Sequence, residues 1–195
     1  MQMPFDARGD DSDEALLAAY GRGDAAAVRL LTERLTPRLY GYAARMLRDA
    51  AEAEDVAQEA MLRLWRMAPD WQAGQAKVST WAFRVVSNLC IDRLRKSGRS
   101  VDLDAAPEPR DASASAEAGL IEADRAAALQ EALARLPDRQ REAVVLRHLE
   151  GLSNPEIAEI MDIGVEAVES LTARAKRGLA AGLAGRRAEL GYGDD

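Results

Sequence analysis

The residue types that most often carry catalysis are scarce in this 195-residue chain. It has one histidine, His148, and one cysteine, Cys90, so no disulfide can form within the chain and no cluster stands at metal-ligand spacing. No nucleophile elbow, phosphate-binding loop or paired carboxylates in a pocket-like setting accompany His148. Cys90 is most simply a small buried hydrophobic residue. We therefore expect no enzyme activity, no metal and no cofactor.

Cationic side chains are instead concentrated in two segments that are suited to binding nucleic-acid phosphates. Residues 84–99 contain five basic residues and one acid, and residues 174–187 contain five basic residues and no acid. Between them, residues 102–124 contain seven acids and one arginine. Local charge decides binding more than the net charge of -7 does. The pattern predicts two nucleic-acid-binding segments that flank an acidic connector.

The elements that must position these segments are predicted to be helices, because the chain is rich in alanine and leucine and poor in β-branched runs. Ser12 and Asp24 have the residue types that cap helices. Pro37 is predicted to stand in the first turn of a separate helix that ends near Arg48. Further helices are predicted over about residues 52–67, from a cap at Ser79 or Thr80 to Lys96, from 120 to 136, and from Pro137 to Leu149.

The linker between the two basic segments is proline-interrupted and has little apolar area to bury. We therefore predict an all-α chain of two small helical domains joined by a flexible acidic linker. The predicted divisions are a disordered tail over residues 1–11, an N-terminal domain over 12–98, the linker over 99–117, a C-terminal domain over 118–187 and a tail over 188–195.

The segment from residue 153 to 179 has the pattern of a helix-turn-helix. Ser153 and Glu156 form a capping box, which marks the start of a short helix. Ala158 is small where two helices would cross, and Asp162 lies in the turn before a second helix. Such a second helix lies in the major groove, with base edges near its N-terminal half and phosphates near its basic part. An ordinary helical hairpin is the alternative that spacing leaves open.

With the preceding sequence LPDRQREAVVLRHLEGLS, this segment resembles the promoter-binding C-terminal domain of extracytoplasmic-function (ECF) sigma factors. Asp162 replaces the family's turn glycine, and aspartate tolerates left-handed backbone better than most residues. Glu166 and Glu169 stand where the family often has small or basic residues; a carboxylate there can accept from a cytosine amine. The resemblance implies that the minus-thirty-five promoter element is contacted by Ser153, Glu166, Glu169, Ser170, Thr172, Arg174, Lys176 and Arg177.

An N-terminal resemblance to the same family covers about residues 12–99. The sequence EDVAQEAMLRLW is similar to the helix by which sigma factors bind the clamp helices of the largest polymerase subunit. Asp55, Gln58 and Glu59 fall at i, i+3 and i+4 on one polar face. Together with Arg63, they are the core polymerase-binding residues that the resemblance implies. Taken alone, the stretch favours an ordinary amphipathic helix that has a solvated acidic face, and the segment that follows it shifts that weighting.

The sequence STWAFRVVSNLCIDRLRKSGR is similar to the family's DNA-melting and minus-ten recognition segment. Such a site needs aromatic faces for unstacked bases, polar side chains for base edges and cations for the backbone. Trp65 and Trp81 are expected to be core residues rather than DNA contacts. The resemblance implies that the minus-ten element is bound by Trp71, Arg84, Asn88, Arg93, Arg95, Lys96 and Arg99.

The resemblance further implies that the acidic linker passes through the RNA-exit path of the polymerase as a nucleic-acid mimic, although solubility explains its charge equally well. The sequence is thus identified as a member of the ECF sigma factors. It is expected to act in the cytoplasm as a monomer with core RNA polymerase, promoter DNA and an anti-sigma factor as partners. A membrane role is not expected, since no signal peptide or 20-residue apolar span is found. The alternative is an operator-binding helix-turn-helix regulator.

Overall fold

The computed structural model describes residues 12–71, 77–98 and 117–184, with side chains from residue 124 onward in the last range. Within these ranges the chain consists of helices, as predicted, and contains no strand. The sequence-predicted N-terminal tail, residues 99–116 of the linker and the C-terminal tail lie outside the described residues. The helices are α1 Asp13–Gly21, α2 Ala25–Leu47, α3 Ala50–Met67, α4 Val78–Lys96, α5 Glu117–Ala134, α6 Asp138–His148, α7 Asn154–Met161 and α8 Val165–Leu183, with a short 3-10 turn at Ala68–Asp70.

Local caps begin the first three helices. The Ser12 hydroxyl accepts from the Ala15 amide at 3.2 Å, and the Asp24 carboxylate accepts from the Ala26 amide at 2.9 Å, which confirms both predicted caps. Asp49 does the same for α3, accepting from the Glu52 amide at 3.0 Å. These side chains satisfy amides that have no partner inside the helix, so each helix starts at a defined residue.

The predicted break before Pro37 is wrong, because α2 runs unbroken from Ala25 to Leu47 with Pro37 inside it. A proline inside a helix removes one backbone hydrogen bond and costs about 3 kcal/mol. Leu31, Leu35 and Leu39 continue one buried stripe through the proline and are fully buried. Burial of three leucines stabilises by more than the proline costs, since each contributes about 1.5 to 3 kcal/mol.

The start of α4 is fixed by a residue distant in sequence. The helix begins at Val78, with Lys77 as its cap residue, so the prediction that Ser79 or Thr80 caps it is wrong. The Val78 amide donates to the Glu14 carboxylate of α1 at 3.0 Å. Thr80 lies inside the helix and is buried. A local pattern could not reveal this cap because its acceptor is 64 residues away.

Helices α1 to α4 pack around one core, in which the Tyr42 and Phe83 rings meet edge to face with centroids 5.8 Å apart. Helices α5 to α8 form a second bundle. The two are in contact: α4 packs against α7, and α2 packs against α5 and α6. Buried apolar residues of both bundles form a single cluster. No helix within the described ranges is long and apolar enough to cross a membrane.

Candidate functional site

One face of α3 presents the four residues predicted to bind polymerase. Asp55, Gln58 and Arg63 are exposed, and Glu59 is half-exposed. The Arg63 side chain donates to the Glu59 carboxylate at 2.8 Å, and this hydrogen bond lowers the pKa of Glu59. The opposite side of the helix is buried in the core through Val56, Ala60 and Leu64. Packing of the opposite side in the core therefore keeps this face exposed to solvent, and the Glu59 carboxylate on it is ionised.

Leu62 is a residue of this face that sequence reasoning missed. Its side chain is 48% exposed. It follows Gln58 by four residues and Glu59 by three, so it lies beside both on the helix surface. The sequence contained a signal for this residue, because the spacing places a large apolar side chain at a position that the polar pattern of α3 predicts to be exposed to solvent. An exposed leucine surrounded by polar residues is a suitable apolar centre for a protein interface.

Helix α4 presents a polar and basic face. Arg84, Asn88, Arg95 and Lys96 are exposed, and Arg84 and Asn88 stand one turn apart as predicted. Arg93 is half-buried and donates to the Glu52 carbonyl at 2.7 Å, which ties α4 to the first turn of α3. Part of its donor capacity is therefore used within the protein. Arg99, the last residue predicted for this face, lies outside the described residues.

The tryptophans lie at the edge of the N-terminal core. Trp65 and Trp81 pack against the core as predicted, and the Trp65 ring meets Tyr20 edge to face with centroids 4.9 Å apart. Trp71 directly follows the 3-10 turn and also packs against the core. Its indole nitrogen is buried with no hydrogen-bond partner among the described residues. The ring is thus positioned by packing.

The helix-turn-helix has the local geometry that its sequence predicts. Both hydrogen bonds of the capping box are present between Ser153 and Glu156. Asp162 adopts left-handed backbone, with φ of 52°, in the turn between α7 and α8. Lys77 donates to Glu156 at 2.8 Å, and this bond, together with those from Ser153, lowers the pKa of Glu156 to about 2. The capping carboxylate is therefore ionised at any physiological pH.

Helix α8 has a buried face and an exposed face. Val168, Thr172 and Ala175 are buried. The prediction that Thr172 contacts DNA is therefore wrong: its side chain faces the core, and its hydroxyl is buried with no hydrogen-bond partner in the described part of the chain. The spacing i, i+4, i+7 from Val168 already indicated this face. The remaining predicted α8 residues are exposed, namely Glu166, Glu169, Ser170, Arg174, Lys176 and Arg177.

The exposed face of α8 divides by charge. Its N-terminal half carries Glu166 and Glu169, and its C-terminal half carries the three basic residues. The Asn154 side chain, at the start of α7, donates to the Glu169 carboxylate at 3.4 Å. Sequence reasoning missed Asn154, although its amide type and its place beside the capping serine were visible. The bond orients the Glu169 carboxylate.

Cys90 and His148 lie in different environments. Cys90 is fully buried, as predicted, and burial raises the pKa of its thiol. His148 ends α6 near solvent, where partial burial and the nearby Lys176 lower the pKa of its imidazole. Among the described residues, no three histidine, cysteine or acidic side chains are grouped to hold a metal ion.

Comparison with known families matches both helical units. The description "Sigma-70 region 2" fits residues 31–100, and "Sigma-70, region 4" fits residues 126–179. Each match covers helices that carry the faces described above. The two matches, region 2 followed by region 4 over 31–100 and 126–179, place the chain in the sigma-70 class of transcription initiation factors.

Similar curated proteins identify one family within the sigma-70 class. The ECF RNA polymerase sigma factor SigM of Mycobacterium tuberculosis is 36% identical over 178 residues, which cover 90% of this chain and 87% of SigM. The ECF RNA polymerase sigma factor SigW of Bacillus subtilis is 32% identical, over 81% of this chain and 89% of SigW. The chain therefore belongs to the ECF sigma factors of the sigma-70 family.

Solved structures give the same fold. The structure of CnrH in complex with the cytosolic domain of CnrY matches with a TM-score of 0.68 and 25% identity, over 90% of this chain and 99% of CnrH. The sigma factor RpoE of Bartonella quintana, in complex with the anti-sigma factor NepR, matches with a TM-score of 0.63 and 22% identity, over 80% of this chain and 95% of RpoE.

Proposed function

We propose that this ECF sigma factor divides its work between two units, with residues 12–98 binding core polymerase and the minus-ten element and residues 118–187 binding the minus-thirty-five element. The observation that carries the proposal is the exposure of three separate faces on α3, α4 and α8. Each face has the chemistry that its proposed role requires. The α3 face is polar with an apolar centre and suits the clamp helices, the α4 face has an amide and cations for unpaired bases, and the charged face of α8 suits the major groove.

The proposed free energy comes from binding rather than from bond chemistry. The proposed phosphate contacts are the exposed cations Arg84, Arg95 and Lys96 on α4 and the three basic residues in the C-terminal half of α8. Arg84 and Asn88 are the proposed readers of the minus-ten bases. RpoE of Bartonella quintana was solved in complex with the anti-sigma factor NepR, and we propose a partner of that class here. Work on polymerase implies action in the cytoplasm.

Run-off transcription tests the function directly. Purified core polymerase is supplied with this chain and with pooled promoter fragments from the source genome. New, promoter-specific transcripts are expected only when the chain is present. DNA binding without any new transcript would instead favour the operator-binding regulator, which needs no polymerase contact.

Replacing Gln58 and Glu59 together by alanine should weaken assembly with core polymerase at least tenfold, about 1.4 kcal/mol. The change removes the polar side chains next to Leu62 and leaves the buried side of α3 intact. The measurement is a fluorescence titration of labelled chain with core enzyme. Glu33→Ala is the matched control, since Glu33 forms the same i,i+4 ion pair, with Arg29 at 3.4 Å, on α2. Equal affinities for both variants would remove α3 from the interface.

Glu169→Gln should change the base preferred at one minus-thirty-five position from cytosine to adenine, by about 1 to 3 kcal/mol. A carboxylate accepts from the cytosine amine, whereas glutamine pairs with adenine through two hydrogen bonds. Binding-site selection with the polymerase-bound chain measures the preference. Glu159→Gln removes an equal charge from the exposed surface of α7 and serves as the control. A uniform gain in affinity with unchanged preference would show that Glu169 only repels phosphates.

A further inference from the structure

Three basic side chains come together where α6 ends. Arg147 and His148 stand in the last turn of α6, and both are exposed. Helix α6 packs against α8. The charged groups that act on the His148 imidazole are Lys176 of α8 and Arg147 of α6 itself. The end of α6 therefore extends the basic surface of α8 beyond the residues that were predicted to bind DNA.

The loop between α6 and α7 folds back on the end of α6. The Leu152 amide donates to the Leu146 carbonyl at 3.0 Å, and the Arg147 guanidinium donates to the Leu152 carbonyl at 2.8 Å. Leu146 and Leu152 are both buried. These contacts fix His148 close to Ser153, which caps the first helix of the helix-turn-helix.

His148 and the start of α7 lie along one side of α8. Asn154, at the start of α7, donates to Glu169, and His148 lies near Lys176. Glu169 and Lys176 are seven residues apart, which is two helical turns or about 10 Å, so they project from the same side of α8. A recognition helix in the major groove is flanked by phosphates, and the first helix of the motif crosses that backbone. This side of α8 therefore suits the phosphates at the edge of the groove.

The electrostatics of the cluster favour an anion. Partial burial and the cations Lys176 and Arg147 lower the pKa of the His148 imidazole from its usual 6.5, so the ring is mostly neutral in the free chain above that pH. Glu150, two residues further on, is paired with Arg38 of α2 at 3.3 Å. A phosphate next to the imidazole favours its protonated form and raises its pKa. Binding of a phosphate here therefore takes up a proton.

We propose that His148 and Lys176 together bind one backbone phosphate at the edge of the minus-thirty-five element, and that His148 does so as the imidazolium. The inference rests on the proposed role of α8. The affinity that His148 adds is fully present below its pKa in the free chain and is lost as the pH rises through the higher pKa of the DNA-bound state. Promoter binding by the polymerase-bound chain is therefore tighter at pH 6 than at pH 8.

A pH series of promoter binding tests this contact, because His148 is the only histidine of the chain. A labelled promoter duplex recovered by run-off transcription is titrated with polymerase that carries wild type, His148→Gln or His148→Arg. The first variant is uncharged and the second is charged at every pH, while titration of the polymerase itself is common to all three. Wild type should bind severalfold more tightly than His148→Gln at pH 6 and equally at pH 8. His148→Arg should keep the advantage at both pH values.

The outcomes separate the contact from the proposed function. Promoter-specific binding with the same ratio of wild type to His148→Gln affinity at pH 6 and pH 8 would overturn the phosphate contact and leave the function standing. Absence of promoter-specific binding at both pH values would overturn the two together.

Salt dependence shows whether the imidazole acts on a phosphate or on the fold. Each phosphate that a protein neutralises adds about 0.9 to the steepness of log affinity against log salt concentration. Wild type and His148→Arg should therefore be steeper than His148→Gln by up to about 0.9 at pH 6, and wild type should match His148→Gln at pH 8. Equal slopes for wild type and His148→Gln at pH 6 would overturn the contact.

Proton NMR of the free full-length chain tests the cluster itself. The single histidine gives one imidazole Cε1–H signal, whose titration midpoint is the pKa of His148. Lys176→Gln removes a neighbouring cation and should raise this midpoint. A midpoint that does not move would show that the two side chains are too far apart to share a phosphate.

Discussion

Arg141→Ala should lower the free energy of unfolding by about 3 to 5 kcal/mol, a loss typical of breaking a buried charged network. Arg141 is 6% exposed, and its guanidinium contacts the C-terminal ends of two helices. It donates to the Met46 carbonyl of α2, to the carbonyls of Leu133 at 2.9 Å and Ala134 at 3.1 Å in the last turn of α5, and to that of Leu136 at 3.1 Å just after α5. Without it, these buried acceptors lose their donor.

Urea unfolding of the full chain measures this loss. Arg135→Ala, at an exposed position six residues earlier, should change stability by less than about 0.5 kcal/mol. Arg141→Lys should recover only part of the loss, because an ammonium lacks the planar fork that reaches carbonyls of two helices. A loss below about 1 kcal/mol for Arg141→Ala would mean that water replaces the guanidinium at these carbonyls.

Features encoded within a few residues could be predicted from the sequence. The capping box of Ser153 and Glu156 and the left-handed Asp162 are examples, because short-range hydrogen bonds and backbone preference determine both. The exposed faces of α3 and α4 were predictable for the same reason: helical spacing alone places Asp55 beside Gln58 and Arg84 beside Asn88.

Features that depend on distant partners were missed. Arg141 and Glu142 lie in the stretch DRQRE, which has the composition of a solvated helix face, yet both are buried. Their partners Met46 and Ser87 are 95 and 55 residues away. Pro37 was misjudged for the same reason, because the packing that keeps α2 continuous comes from other helices. The contact between the two units therefore required the structure.

Glu142, in the contact between α4 and α6, makes the stability of the chain depend on pH with a definite sign. Burial raises the pKa of its carboxyl, a shift that the Ser87 hydrogen bond and Arg139 only partly oppose. One carboxyl oxygen accepts from Ser87, and the other is buried with no hydrogen-bond partner among the described residues, the Arg139 guanidinium lying 3.9 Å from it. The neutral acid is therefore favoured in the folded state. The groups that face it are Ser87 and Cys90 of α4, Tyr42 of α2, and Asp138 and Arg139 of α6.

The stability that neutral Glu142 contributes is fully present below the unfolded pKa, near 4.5, and is lost as the pH rises through the higher folded pKa. Glutamine mimics the neutral acid at every pH. Glu142→Gln should thus match wild type near pH 4.5 and exceed it at pH 8 by about 1 to 3 kcal/mol, the cost of a buried unsatisfied acceptor. Urea unfolding at both pH values measures the difference.

Glu159→Gln separates this effect from simple loss of charge, since Glu159 is exposed on α7 and its replacement should change stability by less than about 0.5 kcal/mol at both pH values. Destabilisation by Glu142→Gln at pH 8 would mean that the ionised carboxylate is the form that the contact favours.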